Sequence, residues 1–189
     1  MNRPSDRAYP MQYVFSWQSK NGMKISIRPI RPEDEASMAR FHEALSDRSV
    51  YLRFFHMEKL SSRVAHPRLA RRCFIDYESE MALIAEYFDP KEKKSEMIAV
   101  GRLIQAPGEK EAEVALLVAD KFQKCGVGSE LLRRLIQVAR DEKLERIVAI
   151  VLPENMGMRI LASRQGFKPV KCEDLSSIQL ALDLRESAV

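Results

Sequence analysis

EAEVALLV (111–118), ADKFQKCGVG (119–128) and SELLRRLIQVARDE (129–142) follow one another without interruption, and their order decides the fold. The first is almost wholly apolar past Glu113, as expected of a central strand covered on both faces. Strand alternation places Glu111, Glu113, Ala115 and Leu117 on one side. In the third, Leu131, Leu132, Leu135, Ile136 and Ala139 share one helical face while Arg133, Arg134, Gln137 and Arg140 share the other, which predicts a helix over about 128–142. The segment between carries Gly126 and Gly128 just before that helix. Glycine lets a backbone approach a ligand closely, and a helix start presents unpaired amides at the positive end of the dipole. An anion such as a diphosphate is therefore the expectation where Gln123-Lys124-Cys125-Gly126-Val127-Gly128 leads into the helix. The same glycines would also serve a plain tight turn. A dinucleotide fingerprint would need glycine where Leu131 stands, and a Walker loop would need Gly-Lys-Ser/Thr, which is absent.

Outward from this unit, Tyr13, Phe15 and Trp17 alternate with smaller or polar residues, as do Met23, Ile25 and Ile27. With Asn21-Gly22 between them they predict a β-hairpin with a type I′ turn. Residues 1–11 read as a loose tail ahead of one domain over 12–189. RPEDEASMARFHEALS, with Pro32 at its start, acidic residues in its first turn and Met38, Phe41 and Leu45 on one face, predicts a helix over 33–45. Two short helices are expected at 49–55 and 67–74. Strands are expected at 81–88, 97–106, 146–152, 167–170 and 178–184, with a bulge at Gly101. Asn155 is placed to cap a helix that Gly166 closes.

The chain has 189 residues, 46% hydrophobic and 31% charged, which fits one domain. It contains no apolar run near the ~20 residues of a membrane span, and MNRPSDRAYP lacks the apolar core of a secretory signal, so a cytoplasmic protein with no membrane partner is expected. Cys73, Cys125 and Cys172 form neither a disulfide framework nor a metal knuckle. His42, His56 and His66 lack ligand spacing, no metal is expected, and no GxSxG elbow occurs. The net charge of +4 does not make nucleic acid the default partner. Seven basic residues from Arg48 to Arg72, opposed by Glu58 alone, are either a solvated helical face or a patch for an acidic partner or phosphate.

Gln-x-x-Gly-x-Gly between a buried strand and an amphipathic helix resembles the coenzyme A loop of the GNAT N-acetyltransferase superfamily, and the order of elements agrees over roughly residues 13–184. The IRPIRPEDE opening and the stretch from Asn155 to LASRQGF belong to the same resemblance. YLRFFH (51–56) and IDYESEMALIA (75–85) are similar to the catalytic domain of bacterial Pat-type protein lysine acetyltransferases. The resemblance implies an α/β (α+β mixed) GNAT fold: a central, mostly antiparallel sheet of six or seven strands, splayed at the cofactor site, with helices on both faces. It also implies a domain standing without the synthetase-like or nucleotide-sensing domains of some relatives. The implied activity is transfer of an acetyl group from acetyl-CoA to a primary amine, foremost a protein lysine. The alternatives are a small-molecule amine acetyltransferase and a noncatalytic CoA-sensing module.

The resemblance assigns cofactor contacts to Leu117, Val118, Gln123 and residues Lys124 to Ser129, the strand offering its backbone to the pantetheine amides as in β-augmentation. Asn155 resembles an asparagine that touches pantetheine or acceptor in relatives, and equally suits a simple cap. A lysine ammonium, with a pKa of about 10.4, needs a base before it can attack a thioester. Glu113 is the first choice, with Glu111 behind it, although both also fit as ordinary charges at a strand edge. The amides of Leu117 and Val118 are candidate donors to the thioester oxygen. Ala162 stands where many relatives carry a tyrosine acid, and neighbouring Ser163 is a poor substitute. A thiol of pKa about 8.5 leaves without much assistance. Cys125 reads better as a small residue beside glycines than as a nucleophile.

Overall fold

The computed structural model describes residues 8–171 and 176–185, so Cys172 and residues 1–7 of the expected tail lie outside the described residues. Among the described residues eight strands form one sheet: β1 (Phe15–Gln18), β2 (Lys24–Pro29), β3 (Glu80–Asp89), β4 (Lys94–Gln105), β5 (Glu111–Val118), β6 (Arg146–Val151), β7 (Lys168–Val170) and β8 (Ile178–Asp183). Their order across the sheet is β1-β2-β3-β4-β5-β6-β8-β7. The resemblance implies six or seven strands, whereas the strands read from the sequence itself number eight, as found, with the short outer strands β1 and β7 each paired with a neighbour. Every adjacent pair is antiparallel except β5 and β6.

Among the described residues six α-helices accompany the sheet: α1 (Glu35–Glu43), α2 (Asp47–Phe54), α3 (Leu60–Arg63), α4 (His66–Cys73), α5 (Val127–Asp141) and α6 (Met156–Arg164). The α5 face expected to be apolar is buried throughout, at Leu131, Leu132, Leu135, Ile136 and Ala139. It packs over β3, β4 and β5, whereas α1 and α2 approach β4 and β5 with Met38 and Phe54 on the face that carries Ala115 and Leu117. Burial of this kind contributes roughly 1.5–3 kcal/mol per large apolar side chain before the entropy of ordering is subtracted.

Three local expectations are corrected. The first hairpin has no two-residue Asn-Gly turn: Gln18 pairs with Lys24, leaving a five-residue loop in which Gly22 has positive φ (+85°) and Asn21 does not. A type I′ turn needs positive φ at both central residues. Buried Ser19 organises the loop instead, accepting from the Met23 amide at 3.0 Å and donating to the Asn21 side chain, while the Gly22 amide reaches the Ser19 carbonyl at 2.9 Å. Gly101 is not at a bulge. The irregularity in the β3–β4 ladder falls where Ala85 pairs with Ala99 and Glu86 with Met97, which leaves Ile98 extra. Gly101 is needed for packing, because a Cβ there would lie 2.6 Å from Leu116 Cδ2 and 2.7 Å from Leu135 Cδ1. Finally, the last described part of the tail is anchored: Tyr9 donates to the Pro29 carbonyl at 2.9 Å and meets the Tyr77 ring edge-on.

Candidate active site

The parallel ladder between β5 and β6 has only three pairs, Glu111 with Arg146, Ala112 with Ile147 and Glu113 with Val148. Beyond them β6 continues along β8 as far as Val151, and β5 continues along β4 as far as Val118. The two strands therefore part at Glu113, and the side of β5 from Val114 to Val118 that faces β6 is left without a ladder. Its direction follows from alternation. The Ala119 amide donates to the Ile98 carbonyl of β4 at 2.9 Å. Two residues earlier the Leu117 amide must also face β4, so the amides of Leu116 and Val118 face the opening. Of the two oxyanion donors expected from sequence, Val118 has the required orientation and Leu117 does not.

The loop after β5 is built to leave its amides free. Lys124 (φ +61°) and Gly126 (φ +88°) take left-handed conformations, and Gly126 is the N-cap of α5. The first intrahelical bond runs from Glu130 N to Gly126 O at 3.0 Å. Among the described residues, none of the amides from Lys124 to Ser129 has a hydrogen-bond acceptor. These amides and the positive end of a 15-residue helix form a nest for an anion. Gly128 has a packing reason as well, since a Cβ there would come within 2.9 Å of Leu161 Cδ1 and 3.5 Å of Val118 Cγ2. The donor set fits a diphosphate, and the missing side chains leave the approach to the amides open.

Gln123 holds this loop to the rest of the site. Its side-chain amide donates to the Val118 carbonyl and to Ser49 Oγ, each at 3.1 Å. Asp120 accepts from the Ser46 amide at 2.9 Å, from Ser46 Oγ at 2.6 Å and from Ser49 Oγ at 2.9 Å, and these bonds hold its carboxyl below the ordinary carboxylate range despite partial burial. Loop and α2 thus form one hydrogen-bonded unit. Asn155 is a helix cap in this structure: Oδ1 accepts from the Met158 amide at 3.1 Å, and Nδ2 donates to the Leu52 carbonyl at 3.4 Å. The Cys125 thiol lies 3.4 Å from the Gln123 carbonyl, and Cys73 is buried, which pushes its thiol up to about 11.

Glu113 is exposed at the mouth of the opening, while Glu111, one pleat earlier, is engaged with Arg146 at 3.1 Å. Ala162 is fully buried and Ser163 exposed, so neither supplies an acid to the opening. Below Glu113 on the same face lies a cavity whose floor is Ala115 and Leu117 of β5 with Val100 and Arg102 of β4. Arg53 and Phe54 of α2, Arg68 and Arg72 of α4 and His42 of α1 form its walls. Sequence reasoning missed this cluster, because Arg102 comes from a strand and only folding brings it beside the basic helices.

The family model described as an acetyltransferase (GNAT) domain matches residues 24–168, which include the whole opening and loop. The chain belongs to the GNAT acetyltransferase family. As a GNAT protein it is an acyl-CoA-dependent N-acyltransferase. Among solved structures, the GNAT domain of Streptomyces lividans PAT superposes with a TM-score of 0.82 at 30% identity, covering 94% of this chain and 100% of that one. Among curated proteins, an acetyltransferase of Pseudomonas aeruginosa is 29% identical over 147 residues, 78% of this GNAT chain and 76% of the relative. Acetyltransferase Pat of Mycolicibacterium smegmatis is 27% identical over 168 residues, and the chain spans 48% of its length. The PaiA N-acetyltransferase of Thermoplasma acidophilum, solved in complex with coenzyme A, shares the GNAT fold with a TM-score of 0.66 at 15% identity. No helix among the described residues is long and apolar enough to cross a membrane.

Proposed function

We propose that this GNAT protein transfers an acetyl group from acetyl-CoA directly to a primary amine, foremost the side chain of a protein lysine in the cytoplasm, with Glu113 as general base. The observation that carries this reading is the position of Glu113 at the last residue pair before β5 and β6 part. A carboxylate there stands beside the only ladder-free stretch of β5. The amides of Lys124 to Ser129 hold the diphosphate of the coenzyme, and the open edge of β5 pairs with its pantetheine arm.

In this arrangement Glu113, directly or through one water, takes a proton from the acceptor ammonium and passes it to solvent. The free amine attacks the thioester carbon, and the Val118 amide donates to the oxygen on which negative charge grows. A C–N bond forms and the C–S bond breaks. The second nitrogen proton leaves with the departing sulfur, so no separate protein acid is required at the place of Ala162. A protein lysine as acceptor is supported by the similarity of YLRFFH and IDYESEMALIA to Pat-type domains and by the 30% identity to the PAT domain of Streptomyces lividans.

The buried Ala162 favours a second reading, a module that binds the coenzyme without turnover. Free-thiol release from acetyl-CoA, measured with lysine peptides, purified cytoplasmic proteins and small amines and read by mass spectrometry, separates the two. Acetyl-lysine formation that Glu113→Gln suppresses is the expected result. Coenzyme binding without turnover on any acceptor would replace the enzyme by the sensor.

A further inference from the structure

The cavity beneath Glu113 carries more positive charge than the fold neutralises. Arg68 is held by both oxygens of Glu58, and Arg102 by Glu80 and by the Arg72 carbonyl at 2.5 Å. Arg53 and Arg72 also line the cavity; Arg53 lies over the Phe54 ring at 5.2 Å, and among the described residues neither guanidinium has a carboxylate within ion-pair distance. Both are half-buried, and a partly desolvated cation gains from a facing anion more than one in open water does. A second observation points the same way. His42 lines the same cavity, is only 6% exposed, and its Nδ1 has no hydrogen-bond partner. Two cations and an unsatisfied imidazole nitrogen thus converge on a space of about 30 Å³, room for two water-sized groups.

We infer that this cavity is a carboxylate subsite for the acceptor: it receives an acidic side chain of the peptide next to the lysine being acetylated. A carboxylate's two oxygens match room for two water-sized groups. Guanidinium groups pair with carboxylates through two parallel N–H donors, and neutral His42 in its Nδ1–H form adds a third partner. The distance also suits a peptide. Ala115 is one pleat from Glu113, about 7 Å along the strand, so the carboxylate and the reacting amine sit a side chain's length apart. Arg53 already feels the charge of Glu113. This inference rests on the lysine acetyltransferase reading, of which it specifies the acceptor.

The test is equilibrium binding, so it does not depend on turnover. Fluorescent product peptides carrying Nε-acetyl-lysine, identical except for glutamate or glutamine beside it, are titrated into the wild-type protein, Arg72→Gln, Arg72→Lys and Arg53→Gln, with folding of each verified by thermal melting. The glutamate peptide should bind at least tenfold tighter to the wild type, Arg72→Gln and Arg53→Gln should reduce that preference to near parity, and Arg72→Lys should restore part of it. Equal affinity of the two peptides for the wild type, or a preference that survives both glutamine variants, would overturn the subsite. Displacement of the glutamate peptide by free glutamate at comparable concentration would assign the carboxylate to a small-molecule acceptor and overturn the peptide assignment. Thiol release by the wild type, measured alongside, tests the transferase reading separately.

Discussion

Glu113 and Val148 form the last pair of the parallel ladder between β5 and β6, so the carboxylate stands at the fork from which the two strands diverge. On the proposed reading, a base placed there reaches an acceptor entering the opening without competing for the backbone of β5 beyond it. Glu113→Gln should therefore lower kcat by about 10²- to 10⁴-fold, the range of general-base catalysis, and leave acetyl-CoA affinity unchanged. Steady-state thiol release and calorimetric binding check the two halves. A matching loss in Glu111→Gln is not expected, since that carboxylate is committed to Arg146.

Gly126 combines a left-handed backbone with a position amid the free amides. Gly126→Ala should cost about 1–2 kcal/mol of stability from the backbone conformation alone, because its Cβ would meet Trp17 only at ordinary contact distance, 3.5 Å. Gly126→Glu adds a negative charge beside the proposed diphosphate site and should weaken acetyl-CoA binding by about 100-fold, with the fold retained by circular dichroism.

Gly101→Ala should destabilise the protein by about 1–3 kcal/mol, as overpacking does in a filled core. The clash is with the side chains of Leu116 and Leu135. Urea denaturation should show the loss, and trimming Leu135 to valine in the same chain should recover part of it.

His42 supplies a pH signature. Burial, reinforced by Arg63, Arg68, Arg72 and Arg102, lowers its pKa from 6.5 to about 4 in the folded protein. The unfolded chain takes up a proton first as the pH falls, so the stability tied to the neutral ring is complete above about pH 6.5 and disappears on the way down to about pH 4. Between pH 7 and pH 4.5 the wild type should lose about 2–3 kcal/mol more than His42→Phe, measured by urea denaturation at each pH.

The strand, loop and helix at 111–142 were legible because period, glycine placement and burial all depend on neighbours in sequence. Asn155 and Gly166 were equally readable as the ends of α6. What escaped depends on distant partners. Asn21-Gly22 looks like a two-residue turn until buried Ser19 takes both the Met23 amide and the Asn21 side chain. Gly101 looks like a bulge until α5 lays Leu131 and Leu135 over it. The basic stretch from Arg48 to Arg72 reads as a surface until β4 delivers Arg102, and Arg63 turns inward at 4% exposure to donate to the His42 carbonyl at 2.8 Å. The exposure of an arginine is decided by tertiary contacts that periodicity does not encode.

The central claim is that the backbone amides of residues 124–129 bind the coenzyme diphosphate. Amide ¹⁵N–¹H spectra recorded during titration with coenzyme A test it at the atoms concerned. The largest shifts should fall on Lys124 through Ser129, with Val118 among the next, and Gly126→Glu should move their titration to about 100-fold higher coenzyme concentration. Saturable binding that leaves those amides unmoved while shifting others would contradict the claim.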